Sequence, residues 1–138
     1  MFSIKANYDF VQNEKDLLKF WEEQQFFKQL LQKNKDGKKY RFLDGPITAN
    51  NPMGMHHVWG RTLKDTFLRY KAMNGYTSHY RNGFDGQGLW VEVEVEKELG
   101  FKTKKDIEAF GLDKFTEACV ARVKKYSKII AEQSKRLG

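Results

Sequence analysis

The 138-residue sequence holds one cysteine, two prolines and three histidines. Cys119 alone cannot form an intrachain disulfide, and its solitude removes any cysteine-rich zinc site. A lone thiol also fits a reducing compartment. No apolar run approaches the roughly 20 residues that span a bilayer. The opening MFSIKANYDF lacks the apolar stretch of a secretory signal. The expectation is a soluble, cytoplasmic chain with no membrane segment. Repeats and low-complexity linkers are missing as well.

What is present argues for a folded domain. Hydrophobic residues make up 40% of the chain and aromatics 14%, enough to build a core in a single domain of this length. Lysine and arginine total 25 against 18 acidic residues, a net charge of +7. Such an excess suits an anionic partner such as nucleic acid, nucleotide or phosphate, although solubility alone also accounts for it.

Hydrophobic spacing sets the expected elements. Residues 13–33 read as one helix, with Leu17, Leu18, Phe20, Trp21, Phe27, Leu30 and Leu31 on its apolar side and Asn13 or Asp16 as its cap. Gly37 stops it. A strand is expected near 40–44, then a loop over 45–56, a helix from about His57 to Met73, a strand near 77–82 and a second loop over 83–88. The helix carries Val58, Leu63, Phe67, Leu68, Tyr70 and Met73 on its apolar side. Strand, helix and strand in this order imply parallel pairing with a crossover. Both loops then lie at the carboxyl ends of the strands, where open parallel sheets collect ligands. The segment LWVEVEVEKELG is ambiguous, because its valines alternate like a strand while its leucine, lysine and glutamate content favours a helix. Thr103 and Asp106 form a capping box. A last helix over 113–137 starts at Asp113 and turns Phe115, Cys119, Val123, Tyr126, Ile130 and Leu137 to its core side.

Both prolines, two adjacent histidines and three glycines fall between Gly45 and Asp65. That stretch opens a helix, and a helix amino terminus offers unpaired N–H groups and partial positive charge to phosphate. A histidine in the first turn can donate to phosphate oxygens that gain charge in a transition state. The spacing is neither a Walker loop nor a G-x-G-x-x-G fingerprint. His56 and His57, as neighbours on a helix, are expected to diverge and so to hold no metal. Trp59 and Trp90 are expected to pack, Asp65 and Arg69 to pair on the surface, and Cys119 to lie in the core.

The ordered series FLDGPITANNPMGMHH, TLKD, RYKAMNGY and GFDGQGLWVE resembles the class I aminoacyl-tRNA synthetases. Within them it is most similar to isoleucyl-tRNA synthetases, of the isoleucine, valine, leucine and methionine group. LLKFWEEQQFF before the series and EKELGFKTKKDIEAFG after it fit the same family, so the resemblance covers nearly the whole chain. It implies an α/β class: a partial Rossmann-type nucleotide-binding fold, the first parallel β-α-β crossover, with flanking helices. Residues 1–37 would be a helical lead-in, 38–100 the crossover and 101–138 a helical segment of one partial catalytic domain. The resemblance also decides for a helix in LWVEVEVEKELG.

The implied activity is ATP-dependent activation of a branched-chain amino acid, isoleucine first, and its transfer to tRNA, with Mg2+ accompanying ATP and no structural metal. Gly54, Met55, His56 and His57 occupy the His-x-Gly-His signature and would bind ATP, with His57 the catalytic residue that stabilises the phosphates. Gly45, Pro46, Asp85 and Gln87 would bind the amino acid, Asp85 through its ammonium group. Only the last signature histidine is kept. The missing first one removes a phosphate contact, and His56 stands where a glycine lets adenine stack. Gln87 replaces a histidine and Trp90 a proline. Relatives of this kind run to many hundreds of residues, so the chain is expected to be an amino-terminal fragment. KYSKI, at 125–129, mimics the family's second signature but falls inside the last helix. The alternative reading is a non-catalytic basic module that binds nucleic acid or a synthetase partner.

Overall fold

A computed structural model describes residues 8–86 and 88–138. Among the described residues six helices and four short strands follow in the order α1 (Phe10–Glu23), α2 (Phe26–Lys33), β1 (Lys39–Arg41), β2 (Ile47–Thr48), α3 (Met55–Met73), β3 (Thr77–His79), β4 (Phe84–Asp85), α4 (Leu89–Leu99), α5 (Lys104–Phe110) and α6 (Leu112–Arg136). Among the described residues no helix is long and apolar enough to cross a membrane.

The single helix expected over 13–33 is two helices. Gln25 adopts the left-handed conformation, φ 53°, and this bend lets Phe26 meet Phe20 at 5.5 Å between ring centroids. Positions six apart on an unbroken helix face different sides and could not touch. The cap is Asp9, whose carboxylate accepts the Gln12 N–H at 3.0 Å, in place of Asn13 or Asp16. The apolar side is largely uncovered: Phe20, Phe27, Leu30 and Leu31 are exposed. Asn34 follows α2 and is buried. Its side-chain amide donates to the carbonyls of Ala72, at 2.7 Å, and Tyr76, at 3.2 Å, tying α2 to the end of α3. Gly37 has a tighter duty than stopping a helix. A β-carbon there would lie 2.0 Å from the Gly75 carbonyl oxygen, so the two turns can meet only at a glycine.

The expected parallel pairing is present. β1 pairs with β3 in the register Lys39–Thr77, Tyr40–Ser78 and Arg41–His79, with α3 between them in sequence. Pairing stops at Arg41, but the alternation runs on: Tyr40, Phe42 and Asp44 are half-buried while Arg41 and Leu43 are exposed. Phe42 meets the Tyr80 ring edge-on at 5.5 Å. A second pair lies within the two expected loops, where β2 runs parallel to β4 with Ile47 opposite Phe84 and Thr48 opposite Asp85. The strands form two separate two-stranded sheets, so the α/β class stands without one continuous sheet.

LWVEVEVEKELG is helical, as α4. Val91 and Val95 are buried and Val93 half-buried, since a spacing of four satisfies both a period of two and the helical turn. The helix closes at Gly100, which takes the left-handed form at φ 74° that suits glycine. Asp106 Oδ2 accepts the N–H of Thr103 at 2.8 Å and of Lys102 at 2.9 Å, the reach-back half of the expected capping box. Val95, Ile107 and Phe115 form the core where α4, α5 and α6 meet, with Phe101, Phe110, Ala118 and Cys119 against it. Each such buried side chain contributes about 1.5–3 kcal/mol. Cys119 thus borders the core as expected, and burial first, then Glu92 and Glu96, pushes its thiol pKa up.

Two further expectations fail on α3 and α6. Of the proposed apolar side of α3 only Leu68 is buried, while Leu63, Phe67, Tyr70 and Met73 are exposed. Leu137 is exposed too, and Gly111, not Asp113, precedes the first turn of α6. Trp59 and Trp90, expected to pack, are 70% and 69% exposed. Asp65 and Arg69 do form a surface ion pair, at 2.5 Å. The KYSKI segment lies within α6.

Candidate active site

α3 begins at Met55, two residues before the expected start, with Gly54 in extended conformation before it. Glycine has no side chain to cap the helix, and His57 supplies the missing interaction from the other direction. Its Nδ1 accepts the Gly54 N–H at 3.1 Å, while the His57 N–H donates to the Gly54 carbonyl at 3.0 Å. An Nδ1 that accepts is unprotonated, so the neutral ring carries its proton on Nε2. Burial first, then the charges of His56 and Arg61, lowers the His57 pKa from 6.5. The ring is therefore a neutral Nε2–H donor near pH 7.

His56 does not diverge from its neighbour. The two imidazole centroids lie 3.8 Å apart, and the His56 ring folds over Gly54, where a β-carbon would come within 2.9 Å of Cε1. A side chain at 54 would therefore have to displace the His56 ring. Among the described residues no acidic side chain occupies the first turn of α3, and none form a metal-holding group of three or more ligands.

Beside this turn is a small open cavity of about 170 Å³, lined among others by Asp44, Gly45, His56, His57, Arg61 and Lys64. Asp44 holds two partners: Lys64 Nζ at 2.5 Å from Oδ1 and the Tyr80 hydroxyl at 2.5 Å from Oδ2. Burial raises the Asp44 pKa, but the hydrogen bonds from Lys64 and Tyr80 and the charges of Lys64 and Arg61 outweigh it, and the net shift is downward. Burial, and then the bond to Asp44, pushes the Tyr80 pKa up to about 12. With Lys64 neutralised by Asp44, Arg61 is the surplus charge. Its Nη2 donates to the neutral Asn82 side chain at 2.6 Å, and its Nε is enclosed with no acceptor among the described residues. The cavity therefore carries surplus positive charge from Arg61.

The two loops converge beside it. The Ala49 N–H donates to the Asp85 carbonyl at 3.1 Å, extending the β2–β4 pairing. Pro46 lies against Gly83. Gly45 lines the cavity, whereas Pro46, just before β2, and Asp85, at the end of β4, are not among its lining residues; Met55 is 83% exposed on the first turn of α3. Gln87 lies outside the described residues. Asp44, Lys64, Tyr80 and Arg61 were not singled out from the sequence, although Asp44 sits in the quoted FLDG and Lys64 in TLKD.

A family model described as tRNA synthetases class I (I, L, M and V) matches residues 16–138, and the chain belongs to that family. It is 44% identical over 124 residues to the isoleucine–tRNA ligase of Dehalococcoides mccartyi, a match covering 90% of this chain and 12% of that protein. The isoleucine–tRNA ligase of Archaeoglobus fulgidus is 40% identical over 134 residues, or 97% of this chain and 13% of the relative. That of Thermus thermophilus is 41% identical over 128 residues, or 93% and 12%. The chain thus spans about 12% of the length of the curated relatives it matches.

Proposed function

We propose that these residues supply part of the adenylate-forming site of an isoleucyl-tRNA synthetase, built on the first crossover of a Rossmann-type fold. The carboxylate of a branched-chain amino acid attacks the α-phosphate of magnesium–ATP, pyrophosphate leaves, and the aminoacyl group then passes to tRNA. The observation that carries this reading is the neutral His57 donor at the amino end of α3, beside a cationic cavity and two parallel-paired loops. His57 Nε2–H and the first turn of α3 meet the phosphates, where Gly54 permits close approach and Met55 and His56 border the nucleotide. Because the basic Nδ1 of His57 is taken by the Gly54 N–H, the ring offers only its Nε2–H and stabilises developing charge as a hydrogen-bond donor, not as a base. Arg61 adds a full charge at the same place. Gly45 and Pro46 frame the amino-acid pocket, Asp85 pairs with the substrate ammonium, and Gln87 is a further amino-acid-binding residue.

The test is a chimaera in which this chain replaces the matching segment of the Thermus thermophilus isoleucine–tRNA ligase. Amino-acid-dependent pyrophosphate exchange should appear with isoleucine ahead of valine and leucine. His57→Ala should lower the exchange rate by about 10²-fold, the usual cost of one transition-state donor. Asp85→Ala should raise the Michaelis constant for the amino acid far more than for ATP. Equal effects of Asp85→Ala on both substrates would remove the ammonium role, and a folded chimaera with no exchange would reject the reading.

A further inference from the structure

The loop that leads into α3 is held from behind by α6, more than 60 residues further along the chain. Arg122 is buried, at 5% exposure, on the side of α6 that faces this loop. Its Nε donates to the Asn50 carbonyl at 2.9 Å and its Nη2 to Asn51 Oδ1, also at 2.9 Å. Nη1 meets Glu98 Oε1 at 2.5 Å as an ion pair off the line of a proper hydrogen bond, and Glu94 lies 3.5 Å from Nη2. The guanidinium also stacks on the Tyr126 ring at 4.7 Å. Three turns further along α6, Gln133 Oε1 accepts the Met53 N–H at 2.8 Å. The next N–H along the chain, that of Gly54, is the one that binds His57 Nδ1.

We infer that Arg122 is a positioning residue, with Gln133 as its second anchor, and that together they preset the loop 50–53 and through Gly54 fix the ring of His57. The chemistry suits the task. A planar guanidinium can hold a backbone carbonyl and a side-chain carbonyl at once, whereas lysine offers a point charge. Glu94, Glu98 and Tyr126 fix the guanidinium before the loop arrives, so little freedom is lost on binding it. A loop fixed at 50, 51 and 53 leaves residue 54 few ways to enter the helix. His57 sits among His56 and Arg61 on its own helix and Asp44 and Lys64 across the cavity, and its titration reports any shift in that arrangement. The consequence for ATP rests on the synthetase reading. The placement of the loop does not, so the experiment is run on this chain without substrate.

The measurement is amide hydrogen exchange together with NMR titration of the histidines in Arg122→Lys, Asn51→Ala and Gln133→Ala. Asn51→Ala and Gln133→Ala leave Arg122 and its glutamates in place, so they decide the matter if Arg122→Lys does not fold. In each folded variant the Gly54 amide should exchange about fivefold faster, because a lost hydrogen bond of about 1 kcal/mol frees the loop locally. The His57 pKa should rise toward 6.5, while the Phe115 amide keeps its protection. Unchanged Gly54 exchange and His57 titration would overturn the inference. So would an equal loss of protection at Phe115, which would make Arg122 a residue of general stability.

Discussion

Lys64 Nζ lies 2.5 Å from Asp44 Oδ1, and the two residues join α3 to the segment after β1 at the edge of the candidate site. Tyr80, which follows β3, closes the other side of the same carboxylate at 2.5 Å. One side chain thus holds together both strands of the first pair and the helix between them. Asp44→Asn keeps the shape but weakens both acceptor bonds and leaves Lys64 without its counter-charge. A loss of about 1–3 kcal/mol in chemical denaturation is expected. Acid has the same effect by another route. The lowered Asp44 pKa contributes stability that is full above pH 3.8 and is lost as pH falls through the lower folded value. At the other extreme, Tyr80 favours its protonated form. That contribution is present below pH 10.0 and is lost as pH rises through about 12, which tyrosinate absorbance would follow.

His57 gives a separate, milder window. Its folded pKa lies below 6.5, so the unfolded chain takes up a proton first as the pH falls. The contribution is complete above pH 6.5 and declines from there through the lower folded value. An NMR titration should show His57 protonating at lower pH than 6.5. His57→Ala should abolish this part of the pH dependence of unfolding and cost about 0.5–2 kcal/mol, as for a lost helix cap.

The core and the surface separate clearly. Phe115 is 6% exposed within the α4–α5–α6 cluster, while Leu43 is 97% exposed. Phe115→Ala should cost about 3–5 kcal/mol through lost contacts and a cavity. Leu43→Ala should stay within about 0.5 kcal/mol. Urea unfolding of the two variants distinguishes them.

Much of this was legible in the sequence, for identifiable reasons. Glycines at 37, 75 and 100 marked true turns, and the strand–helix–strand order foretold the β1–β3 pairing because parallel strands need a crossover. The helix at LWVEVEVEKELG came from the family likeness, since Val91 and Val95 satisfy either period. The α1–α2 break was illegible because Gln25 takes a left-handed conformation with no glycine or proline to announce it. Core assignments on α3 failed because an apolar stripe shows where a helix could be covered, not whether anything covers it. Asp44 was hidden among many charges, since pairing across 20 residues leaves no local pattern. Arg122 left a usable signal: a charge on the same side of α6 as Phe115, Cys119 and Ile130 must find partners or leave the interior. The two loops and His57 were readable because prolines, histidines and glycines crowd one helix start.

The central claim is that ATP phosphates meet His57 at the amino end of α3. The direct measurement is a titration of the 138-residue chain with magnesium–ATP, following the His57 ring and the Gly54–Gly60 amides by NMR. Weak, saturable shifts confined to that turn and to the Arg61 side chain are expected, and His57→Ala should abolish or greatly weaken them. ATP-induced shifts confined to other surfaces, or shifts of the α3 turn that persist undiminished in His57→Ala, would contradict the account.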